Sequence, residues 1–177
     1  MLKTVAEVIS YAKLATMNGG ILIATHARSS NPEHTSRTMA DIVLALKPKW
    51  LDLILSGKKT VECRRIMPKK LVRDDRVYLY CQGDIHGFCT VSDIESIDGN
   101  DDWELETTVS TFAEYACLSE DELLAYWQGA KHPGIIIFHK VTRYDDPHPW
   151  RGSTPQNFIY YNKTECKRPP EQQTLNL

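Results

Sequence analysis

The sequence predicts an α+β fold built around a small, mostly antiparallel β-barrel with short flanking helices. Short apolar runs typical of strands recur along the chain, and only a few segments between them show helical spacing. The 177 residues are 42% hydrophobic and 25% charged, which is ordinary for one globular domain that needs neither disulfides nor a structural metal. We therefore expect one domain at residues 41–162, between an extension at residues 1–40 and a disordered tail at residues 163–177.

The N-terminal extension has two parts, an amphipathic helix predicted over residues 3–17 and a polar linker over residues 26–38. Met39 directly precedes the first strongly patterned segment, so one hypothesis makes it the natural start and the residues before it an over-extended gene model. The alternative is a genuine N-terminal appendage. The extension lacks the apolar core of a secretory signal, and no apolar run approaches the roughly 20 residues that span a bilayer. These features predict a cytoplasmic protein that does not enter a membrane.

Within the domain, strand and helix signals alternate at short intervals. The predicted strands cover residues 41–47, 60–66, 77–81, 86–94, 134–141 and 158–161. The first helix is expected to begin at Pro48 and to end at Gly57, since proline is favoured in the first helical turn and glycine ends helices. Gln82-Gly83-Asp84 is typical of a hairpin turn. Two short helices are predicted over residues 110–129, the second of them capped by Ser119.

The densest cluster of chemistry-bearing residues is Gly57-Lys58-Lys59-Thr60-Val61-Glu62-Cys63-Arg64, at the junction of the first helix and the next strand. Period-two alternation puts Glu62 and Arg64 on one face of this strand and Val61 and Cys63 on the core face. A short, rigid junction is a good place to hold a small polar ligand. The alternative is an ion pair between Glu62 and Arg64 on a half-exposed strand, which contributes little. Spacing alone leaves both readings open.

The same segment resembles the signature of the ASCH domain, a branch of the PUA-like superfamily. The family pattern G-x-K-x-x-E-x-R is matched by Gly57, Lys59, Glu62 and Arg64. The flanking segments that also resemble the family are residues 44–50, 77–80, 134–137 and 155–158. This resemblance covers residues 41–162, and it implies a PUA-like β-barrel with a cleft beside the first helix that is used for RNA or modified nucleotides.

The resemblance also implies which side chains contact the ligand. The candidate contact residues are Lys58, Lys59, Glu62, Arg64, Trp50, Tyr78 and Tyr80. Lys59 and Arg64 can neutralise a phosphate or hold a base edge, and Glu62 can accept a hydrogen bond from an exocyclic amine. The three aromatic residues offer stacking faces, although each is also typical of a core position. Tyr78 and Tyr80 share a strand face, so both face the cleft or neither does.

Some proteins of this family are enzymes, which opens a second hypothesis. One bacterial branch removes an acetyl group from acetylated cytidine with a lysine, a threonine and a glutamate. Lys59 matches that lysine, but Glu62 stands where the branch has its threonine, and Thr60 is displaced by two residues. Other members are associated with RNA cleavage. In an enzyme of either kind Lys59 and Glu62 are the catalytic candidates, but we favour a binding module because the threonine is missing at its expected place.

The remaining motifs exclude other classes of protein. No phosphate-binding or dinucleotide-binding glycine motif is present, and the spacings of the six histidines and five cysteines do not indicate a metal site, so no cofactor is expected. The amides of Gln156 and Asn157 can read base edges, although turn chemistry explains the same residues.

The charge is unevenly distributed along the chain. The formal net charge is −2, which excludes a polybasic protein that coats nucleic acid. Residues 41–76 nevertheless carry ten Lys or Arg against five Asp or Glu, and residues 84–125 carry twelve Asp or Glu and no Lys or Arg. This asymmetry favours a short contact with nucleic acid at one basic cleft. A third hypothesis is a regulatory module that contacts protein through the acidic segment, and the oligomeric state stays open.

Overall fold

The structure, a computed structural model, describes residues 40–161, which contain six strands and three helices. The strands are β1 (Ile42–Ala45), β2 (Val61–Arg64), β3 (Arg76–Cys81), β4 (Asp84–Ser96), β5 (Gly134–Pro149) and β6 (Phe158–Tyr160). The helices are α1 (Pro48–Leu55), α2 (Asp102–Phe112) and α3 (Glu120–Trp127). None of these three helices is long and apolar enough to cross a membrane. The predictions for the extension before residue 40 and for the tail lie outside the described residues.

The six strands form one sheet in the order β2-β5-β4-β3-β1-β6. Neighbouring strands are antiparallel except β1 and β3, which pair in parallel. This mostly antiparallel sheet with its three helices confirms the α+β class. In the described part of the chain the sheet forms a half-barrel, and its edge strands, β2 and β6, do not pair with each other.

The main hydrophobic core places α1 against the sheet. Leu51 and Ile54 of α1 are buried in a cluster with residues of β1, β3, β4 and β5. A second cluster, which we call the aromatic cluster, contains Tyr78, Tyr144 and Tyr161. Because successive strand residues point to opposite faces, Val77 in the main core and Tyr78 in the aromatic cluster mark the two faces of β3. The position of α1 over the main core fixes where the motif that follows it begins.

Helix α2 begins at Asp102, well before residue 110, where the first of the two short helices was predicted to begin. It ends at Phe112, so Tyr115, which was predicted to belong to this helix, lies beyond its end. The Asp101 carboxylate caps α2 by accepting a hydrogen bond from the Glu104 N–H. Acidic side chains in the first turn stabilise the positive end of the helix dipole. Apolar residues are sparse in this turn, so hydrophobic spacing could not locate it. Ser119 caps α3 as predicted, within a capping box.

Strand β5 extends to Pro149, well past residue 141, where the predicted strand ended. Its polar second half remains a strand because it pairs along β4 as far as Asp84. The hairpin that joins β3 to β4 has positive φ values of 53° at Gln82 and 103° at Gly83. Positive φ at both central residues matches the favoured two-residue hairpin turn, which confirms the turn predicted there.

Candidate functional site

Backbone hydrogen bonds to two neighbouring segments fix the junction between α1 and β2. Gly57 ends α1 with a φ of 72°, a left-handed conformation that favours glycine. The Lys59 N–H then donates to the Leu53 carbonyl at 2.9 Å, and the Thr60 N–H donates to the Tyr115 carbonyl at 3.0 Å. The junction is therefore tied both to α1 and to the connection between α2 and α3. These bonds determine where the Lys59 side chain starts and what it can reach.

Lys59, Glu62 and Arg64 form one group of charges, which we call the charge cluster; Lys59 and Glu62 are buried, and Arg64 is partly buried. Lys59 Nζ lies 3.4 Å from Glu62 Oε2, and Arg64 Nη2 lies 2.9 Å from Glu62 Oε1. Lys59 Nζ also donates a hydrogen bond to the Ala116 carbonyl at 2.8 Å. Lys59 is 3% exposed and Glu62 is 6% exposed. The structure thus brings together three of the residues that the sequence predicted, as two cations around one carboxylate.

Arg64 also links β2 to the opposite edge of the half-barrel. Its Nη1 donates to Asn157 Oδ1 at 2.7 Å, and its Nη2 donates to the Ala45 carbonyl at 3.1 Å. Ala45 is the last residue of β1, and Asn157 directly precedes β6. The guanidinium therefore bridges the gap that the sheet leaves open, and its position depends on three separate parts of the chain.

Both faces of β2 are buried, which corrects the prediction that Val61 and Cys63 alone take a core face. Glu62 lies opposite Ile136 in the antiparallel register, and directly opposed residues share a face of the sheet. Since Ile136 belongs to the main core, Glu62 faces that core, while Val61 and Cys63 are buried on the other side. The ion pair between Glu62 and Arg64 that the sequence allowed does form, but its carboxylate is buried and does not lie on a half-exposed strand. Removing one partner from such a buried group costs about 3–5 kcal/mol.

The charge cluster opens into a cleft of about 520 Å³, which we call cleft A. This volume lies in the range of about 300–1,000 Å³ that is typical of small-molecule sites. Its walls come from β1, α1, β2, the connection between α2 and α3, α3 and the loop before β6. The residues that line it are Ala45, Leu46, Lys47, Trp50, Lys59, Glu62, Cys63, Arg64, Leu118, Tyr126 and Gln156.

Trp50 forms the aromatic wall of cleft A. The sequence predicted this residue as a stacking face, and its ring is half-buried. Lys49 Nζ lies 4.6 Å and Lys59 Nζ lies 5.1 Å from the ring centroid, both within the distance of a cation–π contact. Cleft A therefore combines a flat apolar surface with the polar groups of the charge cluster.

The other predicted contact residues lie outside cleft A. Tyr78 is 1% exposed and packs in the aromatic cluster, with its ring centroid 4.9 Å from that of Tyr161. Tyr80 packs against the same cluster, so neither tyrosine faces the cleft. Lys58 is exposed, and its side chain is not part of the wall. Its carbonyl accepts a hydrogen bond from Cys117 Sγ at 3.5 Å, which turns this residue towards the α2–α3 connection.

Sequence reasoning did not assign Ala116, Leu118 and Tyr126 to the site. Ala116 is 57 residues away from Lys59 along the chain, and only the tertiary fold brings its carbonyl to the ammonium group. Tyr126 and Trp127 are adjacent in α3, so their side chains point in different directions. Because Trp127 is buried, Tyr126 is the one of the two that faces outwards and can reach the cleft. Gln156, considered from the sequence for its amide, does line the cleft.

In the part of the chain that the structure describes, the thiol and hydroxyl groups nearest cleft A are not activated as nucleophiles. Burial raises the pKa of the Cys63 thiol to about 12, so this side chain is not a thiolate at neutral pH. Burial also raises the pKa of Tyr126, which keeps its O–H as a hydrogen-bond donor. The Thr60 hydroxyl is buried outside the cleft wall and has no hydrogen-bond partner among residues 40–161. Within the same range, no three His, Cys, Asp or Glu side chains are placed to hold a metal ion.

Comparison with known proteins assigns the family. The family model for the ASCH domain matches residues 44–151, more than half of the chain and a range that includes β2. Among solved structures, the ASCH protein from Zymomonas mobilis is 25% identical, with a TM-score of 0.60 over 71% of this chain and 90% of that one. Two variants of that protein are also 25% identical to this chain over 71% of its length. The tyrosine-to-phenylalanine variant has a TM-score of 0.54 over 93% of its own chain. The serine-to-alanine variant has a TM-score of 0.53 over 91% of its own chain. No curated protein sequence matches the chain. On the family match and these structural likenesses together, the chain belongs to the ASCH domain family.

Proposed function

We propose that cleft A binds a nucleobase of RNA or of a modified nucleotide. The observation that supports this most strongly is the charge cluster, in which two buried charges and one partly buried charge open onto the same cleft as an aromatic ring. Burying each ion costs several kcal/mol of hydration, and apolar residues of similar volume often give equal or greater stability. The stability of the fold therefore does not explain why these charges are buried. Contacts with a ligand that has a flat ring and polar edges do explain it.

Glu62 retains the capacity to accept hydrogen bonds from such a ligand. An ionised carboxylate has about four lone-pair positions, and each of its oxygens contacts one cation here. The remaining positions suit an exocyclic amine or a ring N–H of a base. Gln156 adds an amide donor and acceptor on another wall of the cleft. Hydrogen bonding to the edge of an unstacked base is the usual basis of recognition in single-stranded RNA.

Trp50 and Lys47 provide the other two contacts that a nucleotide requires. Stacking of a base on an aromatic side chain is worth about 1–3 kcal/mol. Lys47 is exposed where β1 leads into α1, so its ammonium group can contact a phosphate at the rim. The cleft therefore supports contacts to the face, the edge and the phosphate of one nucleotide.

Fluorescence anisotropy with labelled single-stranded RNA hexamers of adenosine, cytidine, guanosine or uridine tests the proposal. We expect Trp50→Leu to weaken binding by about 5- to 150-fold, which is the loss of one stacked base. The matched control is Trp103→Leu, since Trp103 on α2 is 64% exposed and lies outside cleft A. Absence of binding to every hexamer, or equal losses in the two variants, would contradict the proposal.

Hydrolysis of an acetylated base or of the RNA backbone is a second candidate, favoured by the 3.4 Å separation of Lys59 Nζ and Glu62 Oε2 within cleft A. A lysine can stabilise developing negative charge, and a carboxylate can act as a general base on water. For an acetylated base we assign the nucleophile to water, because the Thr60 hydroxyl is buried outside the cleft wall. Chromatography after incubation with acetylated cytidine or RNA tests this: product that disappears in Glu62→Gln supports hydrolysis, and binding without product contradicts it.

A further inference from the structure

A second cleft lies directly beside cleft A. It has a volume of about 960 Å³, and we call it cleft B. Arg64, Tyr126 and Gln156 line both clefts, so a ligand that passes from one cleft to the other must cross these three side chains. The remaining wall of cleft B comes from the segment after β2, from β4 and from the loop between α3 and β5. The two clefts are therefore neighbouring parts of one surface depression.

Cleft B has an apolar floor and a basic rim. Leu71 is 4% exposed at the floor, and Ile66, which is 65% exposed, adds an apolar surface on the wall. Every charged side chain that lines cleft B in the described part of the chain is basic, namely Arg64, Arg65, Lys69 and Lys131. The formal net charge of the whole chain is −2, so this basic lining is a local feature and does not reflect bulk charge.

The cations of the rim are available to a ligand. Lys69 and Lys131 are exposed, and neither forms a salt bridge within residues 40–161. Arg65 donates one hydrogen bond, from Nη1 to the Tyr126 carbonyl at 2.9 Å, which holds the guanidinium beside the shared wall and leaves its other donors unused by that bond. Apolar surface next to unpaired cations is complementary to a base or sugar joined to a phosphate.

We infer that clefts A and B form one groove for a single-stranded oligonucleotide, with one base in cleft A and the following nucleotide of the same strand in cleft B. The phosphate that joins them then crosses the shared wall, where Arg64 and Arg65 supply positive charge. This inference rests on the proposed function of cleft A. It makes the ligand a strand and not a free nucleoside.

An acidic loop within residues 84–125 lies at one side of cleft B. The Gly99 N–H donates to the Lys131 carbonyl at 2.9 Å, so the loop before α2 lies beside the part of cleft B that Lys131 lines. Asp98 and Asp101 stand on this loop, and carboxylates repel a phosphate backbone. The strand therefore meets like charge soon after it leaves cleft B, which limits the groove to a few nucleotides.

Competition titrations with the four nucleoside monophosphates and with RNA hexamers test the inference. We expect the preferred hexamer to bind roughly tenfold or more tightly than its mononucleotide, because only the hexamer reaches cleft B. Replacing Lys69 and Lys131 together with alanine should weaken hexamer binding and leave mononucleotide binding unchanged. The slope of log affinity against log salt should fall in magnitude by about 0.7 for each phosphate that the variant no longer neutralises. Lys140→Ala, an exposed lysine of β5 outside both clefts, is the matched control.

The outcomes separate the two proposals. A hexamer that binds no more tightly than its mononucleotide, or a double variant that behaves like Lys140→Ala, overturns the groove and leaves base binding in cleft A intact. Absence of binding by every mononucleotide and hexamer overturns both. Because the two substituted lysines are exposed, the double variant is expected to fold, and an unchanged circular dichroism spectrum verifies this.

Discussion

Substituting Glu62 with glutamine tests whether the charge cluster is a truly buried group. The change keeps the size of the side chain and removes the negative charge that lies 3.4 Å from Lys59 and 2.9 Å from Arg64. The two cations then remain buried without their anion. Lys59 keeps its hydrogen bond to the Ala116 carbonyl, and Arg64 keeps its bond to Asn157, so part of their polar environment survives.

The expected loss of unfolding free energy follows from the burial of the cluster. Removing one partner of a buried ion pair costs about 3–5 kcal/mol, and the hydrogen bonds that survive favour the lower end, about 3 kcal/mol. In a chain of this size 1 kcal/mol corresponds to about 2–4 °C in Tm, so the expected fall is roughly 6–12 °C. An exposed ion pair is worth about 0–1 kcal/mol and predicts a change of at most roughly 4 °C.

Thermal unfolding followed by circular dichroism, at low and at high salt, distinguishes the two values. The matched control is Glu106→Gln, which removes an exposed carboxylate of α2 and is expected to leave Tm nearly unchanged. Salt screens exposed charges far more than buried ones, so the large fall should persist at high salt. A Glu62→Gln variant with the Tm of the control, or a fall in Tm that disappears at high salt, would show that Glu62 is not part of a buried ion pair.

Three further predictions concern single side chains. Lys59→Met should weaken RNA binding by about 2 kcal/mol or more, which is roughly 30-fold in affinity. Lys58→Met should change the affinity little, because Lys58 lies outside cleft A. Equal effects of the two substitutions in the anisotropy assay would contradict this prediction. Tyr80→Leu should leave RNA affinity unchanged in the same assay, and a loss like that of Trp50→Leu would show that the aromatic cluster takes part. Burial raises the Cys63 pKa from 9.0 to about 12, so the folded state keeps a proton that the unfolded state loses, and stability falls as pH rises from about 9 to 12. Between pH 8 and 10 the free energy of unfolding, measured in urea, should therefore fall by about 1.4 kcal/mol less in Cys63→Ala than in the wild type. An equal fall in both proteins would contradict the raised pKa of Cys63.

Local sequence signals located the charge cluster but not the walls of cleft A. Gly57 marked the end of α1, and period-two alternation placed Glu62 and Arg64 on one face of β2. That alternation says which residues share a face, but it does not say which face is buried. The burial of Glu62 depends on its pairing with β5, which the sequence of β2 does not contain. The Ala116 carbonyl lies in the connection between α2 and α3, and Tyr126 lies in α3, so their positions in cleft A also depend on tertiary contacts.

The details of the fold that the sequence left open have a similar origin. Recurring short strands predict a mostly antiparallel barrel, but how far the sheet closes depends on whether β2 and β6 meet. Among the described residues the Arg64 side chain spans the gap between these two edges. Tyr78 and Tyr80 were grouped correctly by their common parity. The side of β3 that they occupy follows from the packing of Tyr144 and Tyr161, which are distant in sequence.

Photocrosslinking of an RNA hexamer that contains thiouridine, mapped by mass spectrometry, tests the base-binding role of cleft A most directly. The exposed aromatic residues Trp103 and Tyr160 lie outside both clefts and serve as internal controls. If cleft A binds a base, we expect crosslinks at Trp50 or Tyr126, which line this cleft, and their loss when unlabelled hexamer competes. Crosslinks confined to Trp103 and Tyr160 would contradict it.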